Sequence, residues 1–564
     1  MKSGTRSSSR ALARLQAIRQ EFSTATARER RGLLRRLEHA RLDSASQLLR
    51  LHELLCFANA YPDDPGLRRL VRRMLARFDR RADLRRHHRA LRDSGIAGTT
   101  MRFRFFAATA LRLAWRWPGQ LVFDWSAWDD PARLTELLPL LAAHAETPGL
   151  DEWDLGLHGW LARMKPARMG DAAFVLRRLD GRVPDPFVFE KIADGMDAPM
   201  ALEPGRDTPS RTRAAWPVTR VAWQTEPLRR SRPDLAAILA QRPRAVRPLP
   251  LRAAQRMIDL AVGAMITHER DLDVFSYADP RDVRLVDCGD GLQFAAIGAV
   301  PERRLLLESV YGFLTLKNGI PTGYLLSSAL YGSAEVAYNV FETFRGAEAS
   351  EIYCRALAMI RHLFHVDAFT VYPYQLGGAG NDEGLQSGAW WFYRRLGFAP
   401  RHREARQLMR REERRMLRDP EHRSSIATLK RLGEHNLFWQ VAARRDDVMG
   451  VLPLANVGLA ITDFLARHGG GDADRGAARC GQEAAGLLGA GPGRGWTPGE
   501  RLAYARWAPL VLLLPGVARW TVPEKRALIG VIRAKGGRRE SAFVAAFDAH
   551  GRLRAALARL ARSG

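Results

Sequence analysis

Cysteine is scarce: four residues in 564, at Cys56, Cys288, Cys354 and Cys480. They form no CxxC pair and no histidine stands at zinc-ligand spacing, so neither a disulfide framework nor a structural zinc is expected. His87 with His88, and His362 with His365, supply two ligands each and no third, so no metal is expected there either. No apolar run reaches the ~20 residues a membrane helix needs; the longest, 507–517, holds Pro509 and Pro515. The basic start is followed by an Arg- and Glu-laden helical pattern and not by an apolar stretch with a cleavage site, so a cytoplasmic protein without a secretion signal is the expectation. The glycine cluster GAGPGRG at 489–495 lacks the Gly-Lys-Ser/Thr ending of a phosphate-binding loop, and no GxSxG serine elbow occurs.

Lysine is nearly absent, with 7 against 81 arginines. Composition otherwise is that of a folded protein, 46% hydrophobic and 26% charged, and the length predicts several domains. The formal charge of +27 raises the question of a polyanionic partner. Residues 1–100 carry 23 Lys or Arg and 10 Asp or Glu, so a nucleic acid, if one binds, is expected there. The pairs Arg68-Arg69, Arg72-Arg73 and Arg80-Arg81 recur at helical spacing, however, and a solvated helix face is the simpler reading.

Four regions follow from the patterning. Residues 1–202 read as an arginine-rich helical domain, with Leu33, Leu37, Leu48, Leu51, Leu54 and Leu55 at helical spacing and a YPDDPG break at 61–66. Residues 203–250, rich in Pro and Arg, read as a linker. In 251–402 a helix over 251–269 precedes a change of period from 3.6 to 2. Strands are expected over 283–288 and 292–297 around GDG, over 306–317 and 323–330 around NGIPT, and over 335–344. A helix over 348–364, a strand over 368–374, a Gly-rich loop and a helix over 386–396 follow. Residues 403–564 read as all-helical. The fold class expected is α+β, a mixed sheet with flanking helices between largely α-helical N- and C-terminal regions.

Two segments carry a resemblance. YNVFETFRGAEASEIYCRALAMIR at 338–361 looks like the fourth strand, pyrophosphate loop and third helix of GCN5-related N-acetyltransferases, and SGAWWFYRRLGFAP at 387–400 looks like their fourth helix. The likeness covers about 283–400. It implies transfer of an acetyl or other acyl group from an acyl-CoA co-substrate to an amine acceptor, small molecule or protein, by direct attack. It also implies a cofactor site at Val340, Phe341, Phe344, Arg345, Gly346, Ala347, Glu348, Ala349 and Ser350, with Gln386 where the family often has Asn. A loop entering a helix offers unpaired amides and partial positive charge to a diphosphate. The resemblance makes Tyr393 the acid that protonates the leaving thiolate. Glu342, expected on the strand, is the candidate base. Glu348 and Ser350 depart from the small residues usual in that loop, and a carboxylate facing phosphate is repulsive unless it turns away. The alternatives are a catalytically inactive scaffold or binding module on the same fold, and a basic nucleic-acid-binding protein acting through its N-terminal helices.

Overall fold

The structure is a computed structural model that describes residues 2–228, 232–270, 272–346, 348–469 and 472–563. It is an α+β protein built on an open, nine-stranded mixed sheet.

Four helices, Lys2–Ala17, Thr24–His39, Ala45–Ala60 and Pro65–Ala76, open the chain. Their ends follow from local chemistry: Ser23 and Thr26 form a reciprocal cap, and Ser44 accepts from the Gln47 amide. The YPDDPG break becomes the start of the fourth helix, where Asp64 accepts from the Gly66 and Leu67 amides and Pro65 fits the first turn. Many N-terminal arginines are engaged within the protein. Arg30 pairs with Asp63 in the core, and Arg14 with Glu29, Arg31 with Asp64, Arg73 with Glu38 and Arg81 with Asp83.

The region 100–202 is not purely helical. Strands β1 (Met101–Phe103), β2 (Leu121–Phe123) and β3 (Met200–Leu202) form a small antiparallel sheet in the order β1-β3-β2. Three residues per strand are too few for an alternation to register in sequence.

The main sheet comprises β4 (Ala245–Pro248), β5 (Ala278–Gly289), β6 (Leu292–Ala299), β7 (Ser309–Lys317), β8 (Ile320–Leu330), β9 (Ser333–Val340), β10 (Ala368–Val371), β11 (Ala399–Pro400) and β12 (Leu437–Gln440). Their order is β11-β12-β10-β9-β8-β7-β6-β5-β4, antiparallel except for the β9/β10 pair. The meander turns on Asp290-Gly291, Asn318-Gly319 and Tyr331-Gly332, all at positive φ, the conformation a tight hairpin demands. Strand β9 is shorter than the 335–344 expected. It stops at Val340, and the Phe341 amide donates to the Thr322 carbonyl before a 3-10 turn over Glu342–Phe344 buries Phe344 against Phe57. Strand β12 lies beyond residue 402, in a region expected to be all-helical, and completes the sheet by pairing with both β10 and β11.

Both faces of the sheet are covered. Leu314, Leu316 and Tyr324 share one core with the N-terminal helices and the helix Leu251–Ile266. Phe294, Phe313, Leu325 and Val336 share the other with the helix Ala349–Phe364 and the C-terminal helices. The Pro/Arg-rich stretch 203–250 contributes to both sides. Thr212 accepts from the Ala97 amide and bonds His52, Trp216 donates its amide to Gly319, and Leu235 and Leu239 pack into the second core. At the β7–β8 turn, Asn318 Nδ2 donates to the carbonyls of Ala60 and Ala222, tying the third helix and this stretch to the sheet. Among the described residues no helix is long and apolar enough to cross a membrane.

Candidate functional site

The parallel strands β9 and β10 run together for three registered pairs, from Ala368 opposite Ser333 to Thr370 opposite Glu335. Beyond that point β9 continues to Val340 with its pairing to β8 alone. The sheet therefore parts along one edge of β9, leaving a notch in which residues 336–340 have no partner strand on the side facing β10.

Three tyrosines from three elements pack together on one face of the sheet beside this stretch of β9. Tyr338 of β9 lies 5.2 Å, ring centre to ring centre, from Tyr353 of the helix Ala349–Phe364, and Tyr353 lies 5.4 Å from Tyr393 of the helix Ala389–Arg395. Tyr393 is 3% exposed and packs also on Phe392 and Phe398. Burial, then the charge of Glu335, pushes its phenol well above the ordinary range, so it stays protonated.

Glu335 is the carboxylate that sequence reasoning passed over. It sits at the last registered pair of the parallel strands, opposite Ser328 on β8. Burial lifts its carboxyl to about 7, with the neighbouring Ser328 hydroxyl offsetting this in part. Its face of the sheet is only half covered: Val310, Leu326 and Ser328 are half-buried as well. The sequence signal was one acid inside the otherwise buried run Ser333–Ala337.

The other expected residues fall at the far end of β9. Glu342 is exposed and lies in the 3-10 turn past the strand, not on the strand itself, because the chain turns inward at Phe341. Val340, Phe341, Glu342 and Arg345 line a cavity of about 460 Å³ with Glu53, Arg211, His268, Glu269 and Glu383. Phe341 stacks on His268 at 3.6 Å. Arg345 and Arg270 both pair with Glu383. Half of this wall comes from the N-terminal helical region and from the 203–250 stretch. Burial raises the carboxyls of Glu53 and Glu269 and lowers the Arg211 guanidinium.

Gly346 sits at φ +77° with nothing within 4 Å of where a Cβ would point, so the left-handed backbone and not crowding is what favours glycine here. Ala347 lies outside the described residues. Glu348 precedes the helix Ala349–Phe364 and caps it with no side-chain bond; its carboxylate instead pairs with Lys317 at 2.9 Å, both largely buried. The acid thus turns from the helix axis toward the β7 end. Ala349 and Ser350 form the half-exposed first turn. A second cavity, of about 230 Å³, is bounded by Lys317, Glu348, Glu351, Arg355 and Trp223. Gln386 is exposed at the end of the short helix Asp382–Gln386, and Gly388 at φ +65° separates it from Ala389–Arg395, dividing the single helix expected over 386–396.

The structure thus gathers Val340, Phe341, Glu342 and Arg345 at one cavity and Glu348 at another, with Tyr393 in the aromatic cluster on one face of β9 and Glu335, whose charge it feels, on the strand's other face. Tyr393 and Glu342 are not brought together. Among the described residues no group of three His, Cys, Asp or Glu is placed to hold a metal. No protein-family model matches the chain, and neither a curated protein nor a solved structure matches it.

Proposed function

We propose that the chain transfers an acyl group from an acyl-CoA to an amine, on a sheet of the GCN5-related N-acetyltransferase kind. The observation that carries this reading is the parting of β9 from β10 immediately after the Glu335–Thr370 pair. A pantetheine arm is a short polyamide. It can pair with the free edge of β9 as an added strand, while the thioester reaches the buried end of the notch.

The chemistry asks for a base and an acid. The amine nitrogen attacks the thioester carbonyl, forming the C–N bond. Glu335, titrating near neutrality, takes the proton that the nitrogen loses. As the C–S bond breaks its electron pair goes to sulfur, which receives a proton from Tyr393, and the proton held by Glu335 restores the phenol through water. In this reading the diphosphate lies on the turn 345–350, and the cavity beside Lys317, Arg355 and Trp223 takes the nucleotide. The cavity at Glu342 lies by the mouth of the notch and admits the acceptor.

Thermal unfolding tests the donor directly. A ligand that binds only the folded chain at 100 times its Kd adds about 2.7 kcal/mol, so CoA and acetyl-CoA should each raise the midpoint. No rise with acetyl-, butyryl- or longer acyl-CoA would end the proposal.

Glu348 gives a second test. Its carboxylate holds Lys317, the one lysine at this turn, and a phosphate must compete for it. Glu348→Gln should therefore tighten CoA about fivefold by calorimetric titration, roughly 1 kcal/mol. Weaker or equal binding would remove the diphosphate from this turn.

The same ion pair favours a second reading. With Lys317 already neutralised by Glu348, the fold serves as a binding module without turnover. That reading expects no response to any acyl-CoA.

A further inference from the structure

Tyr353 presents a hydroxyl that the fold leaves unused. Its side chain is fully buried and its oxygen has no hydrogen-bond partner. A buried, unpaired hydroxyl costs about 1–3 kcal/mol, and phenylalanine would fill the same space without that cost. Its surroundings offer no remedy: Tyr338, Phe392, Tyr393 and Phe398 enclose the ring.

The placement of the hydroxyl gives it a use. Tyr338 is on β9 three residues past the last parallel pair, and Tyr393 is on the helix across the notch. Tyr353 stands between them on the helix that follows β9. We propose, on the acyl-transfer reading above, that Tyr353 and Tyr338 join Tyr393 as a nest of three phenol donors that receives the donor's sulfur and stabilises it as it becomes a thiolate.

A thioester sulfur is a weak acceptor and a thiolate a strong one, so donors fixed at that point stabilise the transition state more than the bound substrate. The aromatic enclosure lowers the local dielectric and so strengthens each hydrogen bond. Electrons and protons balance as follows. The nitrogen lone pair forms the C–N bond and the C–S pair moves to sulfur. Tyr353 and Tyr338 donate hydrogen bonds to that sulfur and keep their protons. Tyr393 alone transfers a proton to it, and the proton taken from the amine by Glu335 replaces the one lost. Amide and free thiol leave, and the protein is unchanged. Burial holds Tyr338 and Tyr353 above the ordinary phenol range, which suits groups that donate without ionising.

Two variants of the full chain, Tyr353→Phe and Tyr338→Phe, carry the test. Each should lower kcat about tenfold while the acetyl-CoA KM stays within about twofold. Because Tyr353→Phe removes an unpaired hydroxyl, its thermal midpoint without CoA should equal or exceed the wild type's, a sign that a merely structural role would reverse. A spectroscopic readout is independent of turnover: the ultraviolet thiolate band of bound CoA, followed against pH, should show the thiol ionising about one unit higher in Tyr353→Phe than in the wild type. A wild type that binds and turns over acetyl-CoA, with Tyr353→Phe identical in kcat and thiol titration, overturns the nest alone. A wild type that neither binds nor turns over acyl-CoA removes the acyl-transfer reading, and the nest falls with it.

Discussion

Glu335→Gln is expected to reduce acyl transfer by about 10²–10⁴-fold, the range that a positioned general base supplies, and to erase the pH dependence of what remains. With a carboxyl titrating near 7, the wild-type rate should climb as pH rises from about 6 and level off above about 8, because only the ionised form accepts the amine's proton. The glutamine variant should show no limb near 7. A wild-type profile already flat between pH 6 and 8, or a glutamine variant retaining both rate and limb, would dismiss Glu335 as the base.

The same residue links stability to pH. In the unfolded chain a glutamate titrates near ~4.3, so between about 4 and 7 the folded protein holds a proton that the unfolded chain has released. The raised carboxyl therefore favours folding at low pH, and its contribution is lost as pH rises through 7. For a half-buried side chain this amounts to on the order of 2 kcal/mol. Glu335→Gln should gain stability on the wild type across that window.

Removal of one partner of the buried pair Lys535–Glu540 is expected to be the most destabilising single change in the C-terminal region. The two groups meet at 2.5 Å with side chains 4% and 1% exposed. Burial pulls the lysine down and the glutamate up, and each restrains the other's shift. Arg304 donates to the Lys535 and Gly537 carbonyls, and the Glu540 amide donates to Asp282, which also accepts from Tyr311. The cluster thus joins the last helices to β5 and β7. Glu540→Ala leaves an uncompensated buried ammonium and should cost about 3–5 kcal/mol in urea unfolding. Lys535→Met with Glu540→Leu should recover most of it, since an apolar pair of similar volume avoids the desolvation of two ions. A loss under 1 kcal/mol in the single variant would mean that water and the Leu307 and Glu308 carbonyls already satisfy the lysine.

How much of this was legible in the residues differs between elements. The meander was, because Asp290-Gly291, Asn318-Gly319 and Tyr331-Gly332 punctuate runs whose alternation marks one side chain in two for each core. Strands β1, β2, β3, β4 and β12 were not, because three or four residues carry no period and each exists only through a partner remote in the chain. At the site, Gly346 and Tyr393 stood out locally, the first as a glycine between strand and helix and the second in an aromatic helix. Glu335 did not, because its character comes from burial at a strand junction. Glu53 and Arg211 did not either, since only the packing of the N-terminal helices on the sheet brings them to Glu342. The role expected of Glu342 rested on a strand two residues longer than the one that forms.

The bond from Asn318 to the Ala60 carbonyl spans 258 residues. On a ribosome adding about 5–20 residues per second, the first helices emerge roughly 10–50 s before the hairpin that buries them. During that interval Phe57 stacks on Tyr61 and the helix Ala45–Ala60 packs on its N-terminal neighbours, but the flank that meets Phe344 and the sheet is uncovered. The excess of positive charge in the first hundred residues is thus already in place around a surface still waiting for the sheet that will cover it.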